Sequence, residues 1–176
     1  MAGTPDFARY IHALDRRLHR YIVPEPWNPA EEALYRPDNL FEVPGDEADD
    51  MRLRAIRHAF RHHYDNNAFY RSFCRDREIT PDDVTELDDL ASIPLIPDKF
   101  FKNYPPGEDF ARWIATLYTG ELPEVTVAKR NPSYDDVVTA LNDAGMHIAY
   151  SSGTSGRHTF IPRDEKTFLL SEYPLR

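Results

Sequence analysis

The 176-residue sequence predicts an α/β protein whose first half is helical. Three observations support this class. Apolar residues recur at helical spacing in several stretches before residue 105. A capped helical pattern at residues 133–142 is followed by an apolar run at 146–150. A Ser/Gly-rich turn then separates that run from a second short strand pattern at 159–162. A helix, a strand, a turn and a strand in this order are typical of α/β folds.

Composition and charge exclude several classes of function. The chain is 41% hydrophobic and 29% charged, as is usual for a globular domain of one core. Its net charge of −9 disfavours nucleic-acid partners, because phosphate neutralisation needs a basic surface. One cysteine excludes an internal disulfide framework. We expect no membrane span, since no apolar run approaches the roughly 20 residues required, and a cytoplasmic location, since no signal-peptide pattern is present.

The first predicted helix begins at Thr4, with Pro5 at the first helical position and Asp6 near the positive end of the helix dipole. Pro24 ends it. One face is apolar, with Phe7, Ile11, Leu14, Leu18 and Ile22 at helical spacing. A membrane-surface role is the alternative. We favour packing of this face onto the body of the protein or onto a partner subunit.

Residues 24–46 contain five prolines and are predicted to form an extended strap over the core. The expected anchors of this strap are apolar and aromatic: Trp27, Leu34, Tyr35, Leu40 and Phe41. A proline-rich segment of this kind also suits binding of a partner domain. With so many aromatic residues, we favour packing against the chain itself.

A long helix is predicted over residues 49–63, with an inner stripe of Leu53, Ile56, Phe60 and either Tyr64 or His63. His58 and His62 stand at the i, i+4 spacing that suits zinc, but a site needs three or four ligands. We therefore interpret them as a solvated face and predict no metal site. A second helix is predicted from residue 68 to 75. Its Cys74 is interpreted as incidental, because a reactive thiol needs a lowered pKa.

The middle of the chain alternates short helical turns with extended segments. Thr80 and Pro81 mark a capped start, and residues 87–90 form a short helical turn. Residues 93–97 carry two prolines and are predicted to be extended. Residues 98–104 then form a helical turn that places Phe100 and Phe101 inward.

A boundary between two regions, 1–105 and 106–176, is predicted at the Pro-Pro-Gly of residues 105–107. Residues 109–119 have helical spacing, although their β-branched and aromatic residues leave a strand open as the alternative. Residues 124–128 alternate and predict a strand. Ser133 caps the helix at 133–142, Gly145 ends it, and Asp164 caps a last helix that begins at Glu165.

Residues 150–159, with the sequence YSSGTSGRHT, contain the strongest functional pattern. Two glycines three apart allow positive φ angles, and successive backbone N–H groups with the four hydroxyls of residues 151–155 form a cradle for phosphate oxygens. The spacing matches neither a Walker A loop nor a dinucleotide fingerprint. The alternative is a flexible Ser/Gly hairpin or linker without a ligand.

This loop resembles the [ST]-SGT-[ST]-G phosphate loop of adenylate-forming enzymes. Residues 64–71, YDNNAFYR, resemble the NPFYR segment of phenylacetate–CoA ligases, and residues 79–97 follow at the expected place. Residues 97–102, PDKFFK, are similar to a P-x-x-FFK segment of the acyl-protein synthetases of bacterial luminescence systems. Asp164 also matches a position at which that group often carries Asp. The resemblance covers about residues 50–170. It departs at residues 157–159, Arg-His-Thr, where ordinary acyl–CoA synthetases usually carry Lys.

The resemblance implies an ATP-dependent ligase with Mg²⁺ that activates a carboxylic (fatty) acid as acyl-AMP before transfer to a thiol. A protein acyl acceptor or a partner subunit would be its partner. Residues 106–176 would begin the family's α/β nucleotide-binding domain. The residues that would hold the phosphates are Ser151, Ser152, Gly153, Thr154, Ser155, Gly156 and Thr159, and Arg157 would add positive charge.

The family's adenine-binding motif, acidic ribose-binding residue and catalytic lysine lie beyond residue 176. We therefore read the chain as the N-terminal portion of a larger enzyme, expect the isolated chain to be inactive, and assign no catalytic residue. The alternative is a non-catalytic binding or assembly module derived from the same fold.

Overall fold

The computed structural model describes residues 9, 16, 22–127, 129–151 and 156–172. These residues form a mixed, helix-rich fold with one small two-stranded sheet, which confirms the α/β class in its general sense. The predicted helix from Thr4 to Pro24 lies almost wholly outside the described residues. The helices are α1 (Pro29–Tyr35), α2 (Gly45–Asn66), α3 (Ala68–Arg75), α4 (Asp98–Lys102), α5 (Glu108–Leu117), α6 (Tyr134–Asp143) and α7 (Glu165–Glu172); the strands are β1 (His147–Tyr150) and β2 (Phe160–Arg163).

The prediction of an extended strap is wrong for α1. The Asn28 side chain accepts the N–H groups of Ala30 and Glu31 at 2.9 and 3.0 Å, while Glu31 accepts the N–H of Asn28 in return. This capping box, with Pro29 at the first helical position, starts a helix within a segment where prolines are frequent. A proline at that position supports a helix, because its missing N–H has no partner there in any case.

The anchors of the strap divide into two groups. Tyr35 is buried beside Trp27, whose ring centroid lies 5.5 Å away, and Leu34 packs against the same small cluster. Leu40 and Phe41 are exposed, and Phe41 is 98% exposed, so their prediction as anchors is wrong. Asn39 forms a local turn by accepting the N–H of Phe41 at 3.0 Å, and neither of the two apolar side chains of that turn is covered by the core.

Helix α2 extends beyond the predicted 49–63 at both ends and has 22 residues. Of its predicted stripe, Phe60 is buried against Cys74 and Val84, while Leu53 and Tyr64 pack at the edge of that cluster. Asn67 ends α2 and caps α3, because its side chain accepts the N–H of Tyr70 at 2.9 Å. The predicted helix at 68–75 is confirmed.

The middle of the chain follows the predicted alternation. The capped turn after Thr80 is a 3₁₀ helix (Pro81–Asp83), and a second one (Asp88–Ser92) follows. Residues 93–97, which lie between the second 3₁₀ helix and α4, are extended, as their prolines predict. Phe100 and Phe101 of α4 are half-buried. None of the described helices is long and apolar enough to cross a membrane.

The main core packs α5 and α6 against the sheet. Its buried residues come from these four elements and their flanks: Tyr104, Phe110, Ile114, Val137, Leu141, Met146, Ile148 and Phe160. The pattern at 109–119 is therefore helical, because helix α5 turns Phe110 and Ile114 to one side, where both are buried. Ser133 caps α6 as predicted, and Gly145 follows α6 with φ +87°.

The strand predicted at 124–128 is wrong for residues 124–127, which are irregular, and residue 128 lies outside the described part. Val125 and Val127 do pack against the core, as the alternation predicts. A strand also needs a hydrogen-bonded neighbour, and in the described residues β1 pairs only with β2. That pairing is antiparallel, with Tyr150 opposite Phe160 and His147 opposite Arg163.

Candidate functional site

The Ser/Gly loop leaves the sheet through a neck formed by Ser151 and Thr159. The N–H of Ser151 donates to the Thr159 carbonyl at 3.1 Å, and the N–H of Thr159 donates to Ser151 Oγ at 3.0 Å. His158 Nδ1 lies 2.5 Å from the Ser151 carbonyl oxygen, a contact that requires the proton on Nδ1. The predicted loop is thus an ordered continuation of the β1–β2 hairpin at its base.

Gly156 takes a backbone conformation that favours glycine. Its φ is +96°, and a Cβ built there would meet no atom within 4 Å. The backbone N–H groups of Gly156, Arg157 and His158 have no acceptor among the described residues. Successive backbone N–H groups that turn toward one side form a concavity that can bind an anion.

Arg157 lies over the Tyr104 ring, with Cζ 4.6 Å from the ring centroid. A cation at this distance is attracted by the negative face of the ring. Tyr104 belongs to the main core and also contacts Phe160, at a centroid distance of 5.1 Å. The base of the loop is therefore attached to the core as well as to the sheet.

The described part of the chain brings together three of the seven predicted phosphate-binding residues. Ser151 and Thr159 form the neck, and Gly156 is on the returning arm. The other four, Ser152, Gly153, Thr154 and Ser155, lie outside the described residues. Ser151 has a role that the sequence did not indicate, because its hydroxyl oxygen accepts a backbone N–H from the opposite arm.

A second feature was missed by the sequence analysis: an apolar groove of about 720 Å³ between α2, α3, the segment 93–101 and β2. Aromatic and aliphatic side chains line most of it, among them Ile56, Phe60, Phe69, Leu95, Phe101 and Ile161. Phe69 and Phe100 stack at 4.9 Å with an interplanar angle of 10°. The sequence did predict that Phe100 and Phe101 face inward, and this was the signal from which the groove could have been found.

Several polar groups that line the groove are already paired or neutral. Tyr70 donates its hydroxyl to the Pro94 carbonyl at 2.9 Å, and the Asn67 amide donates to the Thr116 carbonyl at 2.8 Å. Burial raises the pKa of Tyr70, so its hydroxyl stays protonated. Burial, with His62 nearby, lowers the pKa of His63 and favours the neutral ring.

The remaining sequence candidates are not reactive centres. Cys74 is fully buried, and burial raises the pKa of its thiol, which disfavours the nucleophilic thiolate. No group of three or more His, Cys, Asp or Glu side chains that would hold a metal ion occurs in the part of the chain that the structure describes. His62 instead lies 2.9 Å from the Thr119 hydroxyl.

The segment before the loop is similar to proteins of one class, the acyl ligases. The family model described as "Acyl-protein synthetase, LuxE" matches residues 33–106, which hold α2 to α4 and much of the groove. A long-chain-fatty-acid–luciferin-component ligase of Photorhabdus luminescens is 39% identical over 57 residues, 32% of this chain and 46% of that protein. A phenylacetate–coenzyme A ligase of Pseudomonas putida is 29% identical over 137 residues, 74% of this chain and 30% of that protein.

These matches confirm the resemblance to acyl-protein synthetases and phenylacetate–CoA ligases. The chain spans less than half the length of either curated relative. No solved structure matches it significantly. The family match ends at residue 106 and leaves the Ser/Gly loop outside it.

Proposed function

We propose that this chain is part of an ATP-dependent ligase that activates a carboxylic acid, of the fatty-acid class, as acyl-AMP and then passes the acyl group to a thiol. The observation that carries the proposal is the neck at Ser151 and Thr159, together with the N–H groups of residues 156–158, for which the described part of the chain offers no acceptor. A segment that matches the acyl-protein synthetase family model precedes this neck in the same chain, which supports the proposal. The acceptor thiol would belong to a protein, as the family name suggests.

Each part of the loop would have a defined task in this reaction. Pyrophosphate gains negative charge as it leaves, and donors that are already in place stabilise that charge. The N–H groups after Gly156 and the hydroxyl of Thr159 would supply such donors, together with Ser152, Thr154 and Ser155. Ser151 would hold the two arms together. The guanidinium of Arg157 would add positive charge close to the loop while it remains on Tyr104.

We further propose that residues 106–176 begin the nucleotide-binding domain and that residues 1–105 form a mainly helical region before it. Mg²⁺ would enter with ATP and be held chiefly by phosphate oxygens, because Mg²⁺ commonly binds substrate phosphates and few protein groups.

The test is ATP–pyrophosphate exchange by the full-length protein with a panel of carboxylic acids. Exchange that depends on the acid is expected for the wild type, with little or none for a protein in which Gly153 and Gly156 are both valine. Circular dichroism of both proteins checks that the fold is kept. Undiminished exchange by the folded double variant would overturn the phosphate-binding role of the loop. We expect weak or no exchange from the 176-residue chain alone.

A second candidate, a non-catalytic assembly module, is favoured by the exposed turn of Leu40 and Phe41. An aromatic side chain that is almost fully exposed to water would be more stable if it were buried against a partner protein. This candidate predicts that no acid supports pyrophosphate exchange and that Phe41→Ser abolishes a protein association. Acid-dependent exchange by the full-length protein would rule it out.

A further inference from the structure

We propose that the apolar groove holds the hydrocarbon chain of the acid, with the carboxyl end toward Phe160 and the phosphate loop. The proposal rests on the proposed function for the identity of the acid. The groove itself is defined by the contacts of the described residues. Its occupant is a flexible, unbranched acyl chain, and four observations support it.

The first observation is the size and chemistry of the groove. Small-molecule sites commonly have volumes of about 300 to 1,000 Å³ and mostly apolar walls with few polar groups. This groove has about 720 Å³, and aromatic or aliphatic side chains form most of its lining. It therefore suits an apolar ligand with one polar end.

The second observation is that several polar groups at the groove are unsuited to attract a competing polar ligand. The Tyr70 hydroxyl and the Asn67 amide are bonded to backbone carbonyls, and the conditions around His63 favour its neutral form. An apolar chain that is buried beside the Tyr70 hydroxyl and the Asn67 amide leaves both of their hydrogen bonds intact. Beside these three groups a polar or charged ligand would lose its hydration without full compensation, and the charged Arg163 lines the groove on β2.

The third observation is the position of the groove next to the loop. Phe160 lines the groove, and its ring centroid lies 6.1 Å from that of His158 and 6.3 Å from that of Tyr150. One strand, β2, thus forms a wall of the groove and leads directly from the neck. A carboxyl group at the Phe160 end would lie close to the place proposed for the phosphates.

The fourth observation is the exposure of the apolar rim. Leu95 is 82% exposed, Ile161 45% and Phe69 40%, and all three line the groove. Large apolar side chains that surround a groove mark a binding site more often than scattered ones do. A ligand that covered them would remove this apolar surface from water.

The test is binding of decanoate, dodecanoate and tetradecanoate to the full-length protein without ATP, below the concentration at which these acids aggregate. Affinity should rise with chain length, by up to roughly fourfold for each buried methylene group. A photoreactive diazirine analogue of tetradecanoate should label residues 93–101 and 160–167. Equal affinity for all three acids, or labelling spread over other peptides, would overturn the proposal.

Three variants make the test specific. Leu95→Asp and Ile161→Asp place a charge on the rim and should weaken tetradecanoate binding at least tenfold. Leu122→Asp is the matched control, because Leu122 is 52% exposed and does not line the groove. If Ile161→Asp disrupts the hairpin, Leu95→Asp still tests the groove, because a substitution of the largely exposed Leu95 should leave the fold intact. Equal loss in all three variants, or loss in none, would refute the groove.

Failure of the groove can be separated from failure of the proposed function. Binding that depends on the groove in a protein without pyrophosphate exchange would refute the proposed ligase but keep the acyl site. Normal exchange with acyl binding that is insensitive to the rim variants would keep the ligase and refute the site.

Discussion

Ser151 and Thr159 bind each other in both directions, through an N–H to carbonyl bond of 3.1 Å and an N–H to hydroxyl bond of 3.0 Å. Residues eight positions apart are thereby held together where the loop leaves the sheet. The hydroxyl oxygen of Ser151 accepts a hydrogen bond in the neck, so its effect on phosphate binding would be partly indirect.

Ser151→Ala should loosen the neck. The variant loses one acceptor for the Thr159 N–H, and a typical hydrogen bond contributes about 1 kcal/mol net. Hydrogen exchange of the Thr159 amide should become about fivefold faster, and ATP affinity should fall several-fold. Ser72→Ala is the control, because Ser72 is exposed on α3, far along the chain from the loop. An unchanged exchange rate would show that the neck is held by other contacts.

Gly156→Ala should damage the loop by backbone strain alone. At φ +96° a side chain is unfavourable by roughly 1–2 kcal/mol, whereas the space around a new Cβ is open. The expected result is a loss of ATP affinity of about tenfold, measured by calorimetry on the full-length protein.

Gly45→Ala is the matched control for that variant. Gly45 also has open space, but it begins α2 without a positive φ, so alanine should be tolerated or slightly stabilising. Equal losses in the two variants would mean that the conformation of Gly156 has no special role.

Asp136 should make the stability of α6 depend on pH in the acid range. The Lys129 ammonium at 2.6 Å and the N–H and hydroxyl of Ser133 lower the pKa of Asp136 to about 2. An unfolded aspartate has a pKa of about 3.9. Because the folded pKa is lower, the stabilisation is complete above pH 4 and is lost as pH falls from about 4 to 2.

Asp136→Asn should therefore lower the melting temperature by a few degrees at pH 7, with a difference that shrinks toward pH 2. Asp135→Asn is the control, since Asp135 occupies the same helical turn without a hydrogen bond to the described residues. Ser133→Ala should destabilise the protein by about 1 kcal/mol at pH 7, because it removes the cap, and by less at pH 2, because its hydroxyl also donates to the ionised Asp136. A difference for Asp136→Asn that is constant with pH would contradict the assignment.

Lys166→Met should destabilise the contact between α1 and α7. Lys166 Nζ lies 2.6 Å from Oε1 of the fully buried Glu31, as an ion pair without hydrogen-bond geometry. Loss of one partner of a buried pair costs about 3–5 kcal/mol, and we expect roughly 1–3 here because Lys166 is half-exposed.

Glu31→Gln is the companion variant, and it keeps an acceptor for the Asn28 N–H. The double variant should be more stable than the sum of the two single losses predicts, because the unpaired buried charge is then absent. Urea denaturation measures the free energy of unfolding of the two single variants and of the double variant. Additive losses would mean that the two side chains do not interact in solution.

Local signals in the sequence predicted most of the helices. Ser133, Thr80 and Asp164 were identified as caps, and all three begin helical turns in the structure. Capping depends on residues within one turn, so the sequence contains all the information required. The same signal at Asn28 was missed, because the surrounding prolines suggested an extended chain.

Contacts between distant segments decided the rest. The alternation at 124–127 correctly placed Val125 and Val127 against the core but did not provide a partner strand. The groove joins separate segments between residues 56 and 167, and the neck joins two arms of the loop. The sequence alone was enough for the helix caps and the Ser/Gly pattern, which depend on neighbouring residues. The groove, the neck and the place of Arg157 required the folded chain, because each depends on which distant surfaces meet.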